Sequence, residues 1–203
     1  RQVFQPSRAF ETPGQGLGGP MEDVYFDTAD GIRLNGWFFA REPGVPPGGW
    51  VWLLCHGNAG NISHRLRHVS VLLSTGAAVF VFDYRGYGRS EGRPGEAGTY
   101  LDAQAAHAWL CGRGYEPARI IVLGESLGGA VGTELALRER VGGLVLLATF
   151  TSVPELGAEL FPWLPVRWLS TIEYRTIDQL PGIGVPAMVI HSPRDSLVPV
   201  GSA

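Results

Sequence analysis

Ile120-Ile121-Val122-Leu123-Gly124-Glu125-Ser126-Leu127-Gly128-Gly129-Ala130-Val131 is the stretch on which the fold turns. Four apolar residues run without a break into Gly-x-Ser-x-Gly, and an Ala/Leu-rich segment follows at once. An uninterrupted apolar run marks a strand buried on both faces. A strand that enters a serine directly, followed by a helix that leaves it directly, makes a sharp turn that lifts the hydroxyl above the sheet edge. The helix then aims its N-terminal N–H groups at the place where negative charge would develop. Glycines on both flanks permit the cramped backbone. Ser126 is therefore the candidate nucleophile and the Leu127 N–H a candidate oxyanion donor.

The pattern alone is weak. With 29 glycines among 203 residues, chance supplies roughly 0.2 matches. Gly88-Arg89-Ser90-Glu91-Gly92 is a second match in the same chain. Context separates the two. Ser90 is preceded by Arg85, Tyr87 and Arg89 and followed by Arg93-Pro94, which describes a polar loop serine with no strand feeding it.

Working outward from Ser126, the pattern alternates between strand and helix. Two strands, Glu22 to Thr28 and Ile32 to Ala40, flank Asp30-Gly31, a strong hairpin signal. Buried strands are expected at Trp50 to Cys55 and Ala77 to Phe82, and further strands at Arg119 to Leu123, Leu144 to Ala148 and Val185 to Ile190. Helices are expected over Asn61 to Thr75, with Asn61 as N-cap, and over Glu96 to Leu110 and Leu127 to Glu139. The predicted apolar stripe of the second helix is Leu101, Ala105, Ala108 and Trp109. A hairpin followed by alternating elements is an α/β plan with a mostly parallel sheet and helices on both faces. Residues 1–20, rich in Pro and Gly, are expected to form a surface arm, and 21–203 a single core. Residues 150–184 interrupt the alternation with Phe161, Trp163, Trp168 and several prolines, and are expected to form a short lid over the sheet.

Two further loops carry candidate chemistry. His56-Gly57-Asn58-Ala59-Gly60-Asn61 follows a buried strand, and its glycine-rich turn would expose backbone N–H groups at the sheet's C-terminal edge. Asn58, or Ala59 beside it, is the second candidate oxyanion donor. His56 is expected to shape that turn. His191-Ser192-Pro193-Arg194-Asp195 follows the last strand, and Asp195 is the candidate acid that would fix a histidine tautomer and stabilise the imidazolium. The order Ser, then Asp, then His places the base after Asp195. All five histidines (His56, His64, His68, His107 and His191) precede it, and His191 is the weak candidate among them. Serine without a base is a poor nucleophile at neutral pH. The polypeptide ending at Ala203 is therefore expected to bind better than it turns over, with the histidine beyond residue 203.

Composition narrows the classes. A net charge of −3 without a basic run leaves no electrostatic footprint for nucleic acid. No stretch reaches the roughly 18 apolar residues of a membrane span. The chain opens at Arg1, so an anchor upstream of residue 1 stays open, as do cytoplasmic and membrane-anchored locations. Cys55 and Cys111 require no disulfide and fix no compartment.

Taken in order, several segments resemble the Bem46-like branch of the α/β hydrolases. They are Glu22-Asp23-Val24, Thr28 through Trp37, Cys55 through Asn61, Asp83 through Ser90, Gly124 through Gly129 and the Asp195 loop. Ser192 departs from the glycine usual after the histidine. The resemblance implies a Ser-Asp-His triad, two backbone oxyanion donors, a short lid, and no metal or organic cofactor. It implies hydrolysis of an ester, thioester or amide in a small-molecule, lipid or acyl-protein substrate, with peptidase activity as a variant. Phe161, Trp163 and Trp168 would line the acyl site. The rival reading is a non-catalytic binding protein of the same fold that lacks the base.

Overall fold

Period-two alternation along the buried strands decides which side of the sheet each residue serves. A computed structural model describes residues 4–17, 20–40, 48–155 and 172–192. Its strands are β1 (Gln5–Pro6), β2 (Met21–Asp27), β3 (Arg33–Phe39), β4 (Val51–Cys55), β5 (Ala59–Gly60), β6 (Ala78–Phe82), β7 (Ile120–Glu125), β8 (Gly143–Leu147) and β9 (Ala187–Ile190). The helices are α1 (Leu66–Leu73), α2 (Glu96–Gly112), α3 (Leu127–Arg138) and the single turn α4 (Thr176–Gln179). Leu53, Phe80, Phe82 and Val122 face one way, into a core closed by α2 and α3. Their neighbours Leu54, Val79, Val81 and Leu123 face the other way, against α1. Strands buried on both faces need apolar residues at every position, which is why their sequences run without alternation.

The main sheet has the order β2-β3-β6-β4-β7-β8-β9. Pairing is antiparallel at β2–β3 and β3–β6, and parallel from β6 across to β9. The β2–β3 hairpin closes at Asp30-Gly31, where Gly31 adopts φ +79°, a conformation that favours glycine. From β4 the chain passes first to β6 on one side and then crosses to β7 on the other. That reversal opens a crevice at the C-terminal ends of β4 and β7, the place where open α/β sheets bind ligands. Among the described residues no helix is long and apolar enough to cross a membrane.

Two expectations shift. The buried face of α2 is Thr99, Asp102, Ala103, Ala106, His107 and Leu110, whereas Ala108 is exposed and Leu101, Ala105 and Trp109 are half-buried. Hydropathy misphased this helix because its inner face carries three polar side chains, Thr99, Asp102 and His107. Asp102 accepts Arg85 N and Nε, both at 2.8 Å, and His107 Nε2 lies 3.0 Å from Arg140 O. The helix expected from Asn61 begins as a 3₁₀ turn, Ile62–Arg65, before α1. Asn61 caps that turn, accepting Ser63 N at 2.9 Å while its own N–H donates to His64 Nδ1 at 3.0 Å.

The N-terminal arm is stitched to the loop after β4. β1 pairs in parallel with β5 (Gln5 with Ala59, Pro6 with Gly60), and Asn61 Nδ2 donates to Ser7 O and Ala9 O. Phe4 at its start is buried in the core and meets Tyr174 edge-on, with ring centroids 6.4 Å apart. Of the segment expected to form a lid, residues 156–171, including Phe161, Trp163 and Trp168, lie outside the described residues. After it, the chain is fastened to α2: Glu173 N and Tyr174 N donate to the Glu96 carboxylate at 2.7 and 2.8 Å. Tyr174 is fully buried, its hydroxyl 2.8 Å from Thr99 Oγ1.

Candidate active site

Parallel strands deliver their C-terminal ends to one sheet edge, so the loops after β4, β6, β7, β8 and β9 gather there. At the end of β7 the chain turns through Ser126 at φ 51°, ψ −115°, directly into α3. A non-glycine residue at positive φ is strained and persists where the surroundings impose it. Here they do. Ser126 N donates to Leu147 O at 2.9 Å, and Ser126 O accepts Gly129 N at 2.9 Å and Thr149 Oγ1 at 3.0 Å. Close approach explains the flanking glycines: a Cβ on Gly124 would lie 2.3 Å from Gly128 O, and one on Gly128 only 2.0 Å from Cys55 O. Helix α3 thereby packs its first turn against the end of β4.

Ser126 stands at the N-cap position of α3, yet its side chain makes no capping hydrogen bond. Serine at an N-cap ordinarily has extended backbone and bonds its hydroxyl to the N–H of the second or third helical residue. The positive φ replaces that geometry, and the residue stays half-buried at the crevice instead of closed into the helix end. Leu127, buried behind it, opens the helix, and its N–H is among those with no intrahelical acceptor.

The loop after β4 is held from several directions. His56 is fully buried, its Nδ1 2.7 Å from Gly57 O and its Nε2 3.5 Å from Asp83 Oδ1. Asp83, fully buried at the end of β6, also accepts Ile62 N at 2.9 Å, and desolvation pushes its carboxyl above the ordinary range. Tyr84 donates its hydroxyl to His56 O at 3.0 Å. The Asn58 side chain accepts Tyr87 Oη at 2.9 Å and Gln5 N at 3.2 Å. Gly57 N donates to Glu125 Oε2 at 3.2 Å, which ties this loop to the residue before Ser126. Burial raises the Cys55 thiol to about 12, so it serves as a small neutral core residue, and both cysteines are free.

Of the residues singled out in the sequence, Asn58 follows β4 and Ser126 and Leu127 follow β7, beyond the neighbouring ends of two paired strands. Asp195 lies outside the described residues. His191 follows β9, and the register Glu125–Leu147–Ile190 places it level with Ser126 but two strands away. At ordinary strand spacing that is about 10 Å between backbones. Sequence reasoning missed Gln5, Tyr87, Arg65 and Glu125, whose partners stand tens of residues off along the chain. Glu125 was in view as the variable position of the turn, but nothing local shows where its carboxylate goes. Among the described residues no group of three or more His, Cys, Asp or Glu side chains could hold a metal ion.

A doubly wound, mostly parallel sheet with a strained serine between strand and helix defines the class, and comparison agrees. The profile of the family described as "alpha/beta hydrolase fold" matches residues 52–171, and the chain belongs to that family. An uncharacterized protein of Mycobacterium tuberculosis is 44% identical over 178 residues, covering 87% of this chain and 63% of the relative. Protein bem46 of Schizosaccharomyces pombe is 32% identical over 194 residues, covering 88% of this chain and 62% of the relative, in line with the Bem46-like branch. The chain thus spans somewhat less than two thirds of these relatives' length. Among solved structures, the Pyrococcus furiosus esterase Pf2001 superposes with a TM-score of 0.77 at 25% identity, over 98% of this chain and 81% of the esterase.

Proposed function

We propose that the protein is a serine hydrolase of acyl substrates, with esters its simplest class and thioesters or amides as further ones. The observation that carries this reading is Ser126: a serine at the N-cap of α3, held at φ 51°, whose side chain does not cap the helix. That arrangement keeps a hydroxyl at the crevice and points the first N–H groups of α3 at the same spot. In the proposed reaction Ser126 Oγ attacks the acyl carbon and gives its proton to a histidine. The oxyanion accepts hydrogen bonds from the Leu127 and Asn58 N–H groups. Asp195 orients the histidine and stabilises the imidazolium, which then protonates the leaving group. Water, giving its proton to the same histidine, next attacks the acyl-enzyme, and the returned proton frees Ser126 Oγ–H and the acid product. The base is expected in the part of the relatives' length that this chain does not span. Phe161, Trp163 and Trp168 are proposed to bound the acyl pocket.

The test is labelling of the full-length protein by a fluorophosphonate probe, alongside turnover of p-nitrophenyl acetate and butyrate. Labelling and turnover that Ser126→Ala abolishes are expected. Absence of labelling, or labelling that survives the substitution, removes the proposal. Comparing this chain with a longer form locates the base: activity confined to the longer form assigns it outside residues 1–203, and equal activity assigns it to His191.

A further inference from the structure

Glu125 fills the variable position of the Gly-x-Ser-x-Gly turn, and its carboxylate reaches across to the loop after β4. Oε2 accepts Gly57 N at 3.2 Å and lies 2.7 Å from Arg65 Nε. Another arm of the same guanidinium, Nη2, donates to Ala59 O at 2.9 Å. Both groups press on Gly57, where a Cβ would meet the carboxylate at 3.2 Å and the guanidinium at 3.4 Å. Only 21% of the Glu125 side chain and 12% of the Arg65 side chain is exposed. The pair therefore brackets Asn58, fixing Gly57 on one side of it and Ala59 on the other.

A carboxylate bonded one residue from a donor of the oxyanion hole is an electrostatic liability. Negative charge developing on the substrate oxygen is repelled by it, and more strongly in a partly desolvated crevice. We infer that Arg65 is a positioning residue of the hydrolase: it neutralises Glu125 beside the oxyanion loop and holds the 57–59 backbone in register with Ser126. The inference rests on the serine-hydrolase reading above. It separates two jobs that Glu125 performs together, since the oxygen that holds Gly57 N is useful and the charge it brings is not.

The test is p-nitrophenyl acetate kinetics on the full-length protein and its variants. Arg65→Met leaves the carboxylate unpaired, and kcat is expected to fall about 30-fold with KM within about twofold, a loss smaller than removal of a whole oxyanion donor. Glu125→Gln keeps an oxygen for Gly57 N and is expected to lose about threefold. Combining the two removes the charge, so the double variant should recover about tenfold over Arg65→Met, the reverse of additive damage. A double variant no faster than Arg65→Met, or a loss carried by KM, overturns the inference. If Arg65→Met does not fold, Arg65→Lys decides: kcat within about fivefold of wild type supports charge neutralisation, and a deeper loss in a folded protein overturns it. Wild-type turnover that Ser126→Ala fails to abolish, or no turnover at all, removes the hydrolase reading and this role with it. Turnover that depends on Ser126 but shows no rescue removes the role of Arg65 alone.

Discussion

The chain contains the same five-residue pattern twice, and its two copies were folded to opposite ends. Ser126 is half-buried at the sheet edge, at positive φ, between β7 and α3. Ser90 is fully buried, its hydroxyl donating to Asp83 O at 2.7 Å and accepting Asn35 N at 2.9 Å. One serine has a backbone forced so that its side chain does not cap. The other has its side chain committed to satisfying main chain inside the protein. The pattern itself carries neither outcome. What differs is the flank, since Ile120-Ile121-Val122-Leu123 builds a strand that drives the turn, while Arg85 through Arg89 builds a loop pinned by ion pairs. Arg85 is the pin, bonded to Asp102 at 2.8 Å and to Asp30 at 2.7 Å.

The contrast is broken or sharpened by matched substitutions. Ser126→Ala should lower kcat/KM by at least about 10³-fold, as loss of an attacking serine does, with a melting temperature like that of wild type. Ser90→Ala should do the reverse, costing about 2 kcal/mol of stability because Asn35 N is left buried without its partner, while the folded fraction still labels with a fluorophosphonate. Chemical denaturation and labelling together decide this. If Ser90→Ala abolished labelling in a folded protein, the separation of roles would collapse.

The glycines give the next pair. Gly128→Ala would thrust its Cβ to 2.0 Å from Cys55 O, a backbone atom with no side-chain freedom to swing aside. Displacing α3 from β4 should cost about 3 kcal/mol and the labelling with it. At Gly92, φ is +78° and the nearest atom to a Cβ is Ile32 Cγ2 at 3.2 Å, so Gly92→Ala meets strain but little obstruction. A cost of about 1 kcal/mol is expected there. Equal costs in urea unfolding would mean that the elbow is no tighter than the loop.

The smallest effect is in acid. Asp30 is held at about 2, below its ordinary 3.8, by the hydrogen bond from Arg85 and then by that from Thr28. A carboxyl lowered in the folded state stabilises fully above the unfolded value and loses that contribution as pH falls from about 4 through about 2. Asp30 is well exposed, so the change is modest. Melting temperatures between pH 2 and 5 should fall less steeply in Asp30→Asn than in wild type. Superimposable profiles would show that the Ser90 loop does not depend on this ion pair.

Much of this was legible in residues 120–131. Apolar runs located the strands to within a residue or two, β9 among them although it is exposed along its whole length, and strand–serine–helix order separated Ser126 from Ser90, because both signals are local. The phase of α2 was misread for the opposite reason: Asp102 and His107 look like surface residues until Arg85 and Arg140 O, supplied from elsewhere, satisfy them inside. The candidate oxyanion loop was located from its glycines, but not what holds it. Gln5, Arg65, Tyr87 and Glu125 converge on residues 57–60 from four places in the chain. The alternation of strand and helix patterns thus determined an α/β protein, and one short stretch its candidate nucleophile, since periodicity and turn chemistry are written in neighbouring residues. Which face of α2 is buried, which serine is spent on the interior, and how a carboxylate comes to rest beside the candidate oxyanion loop were decided only in three dimensions. Those outcomes depend on partners that only the folded chain brings together.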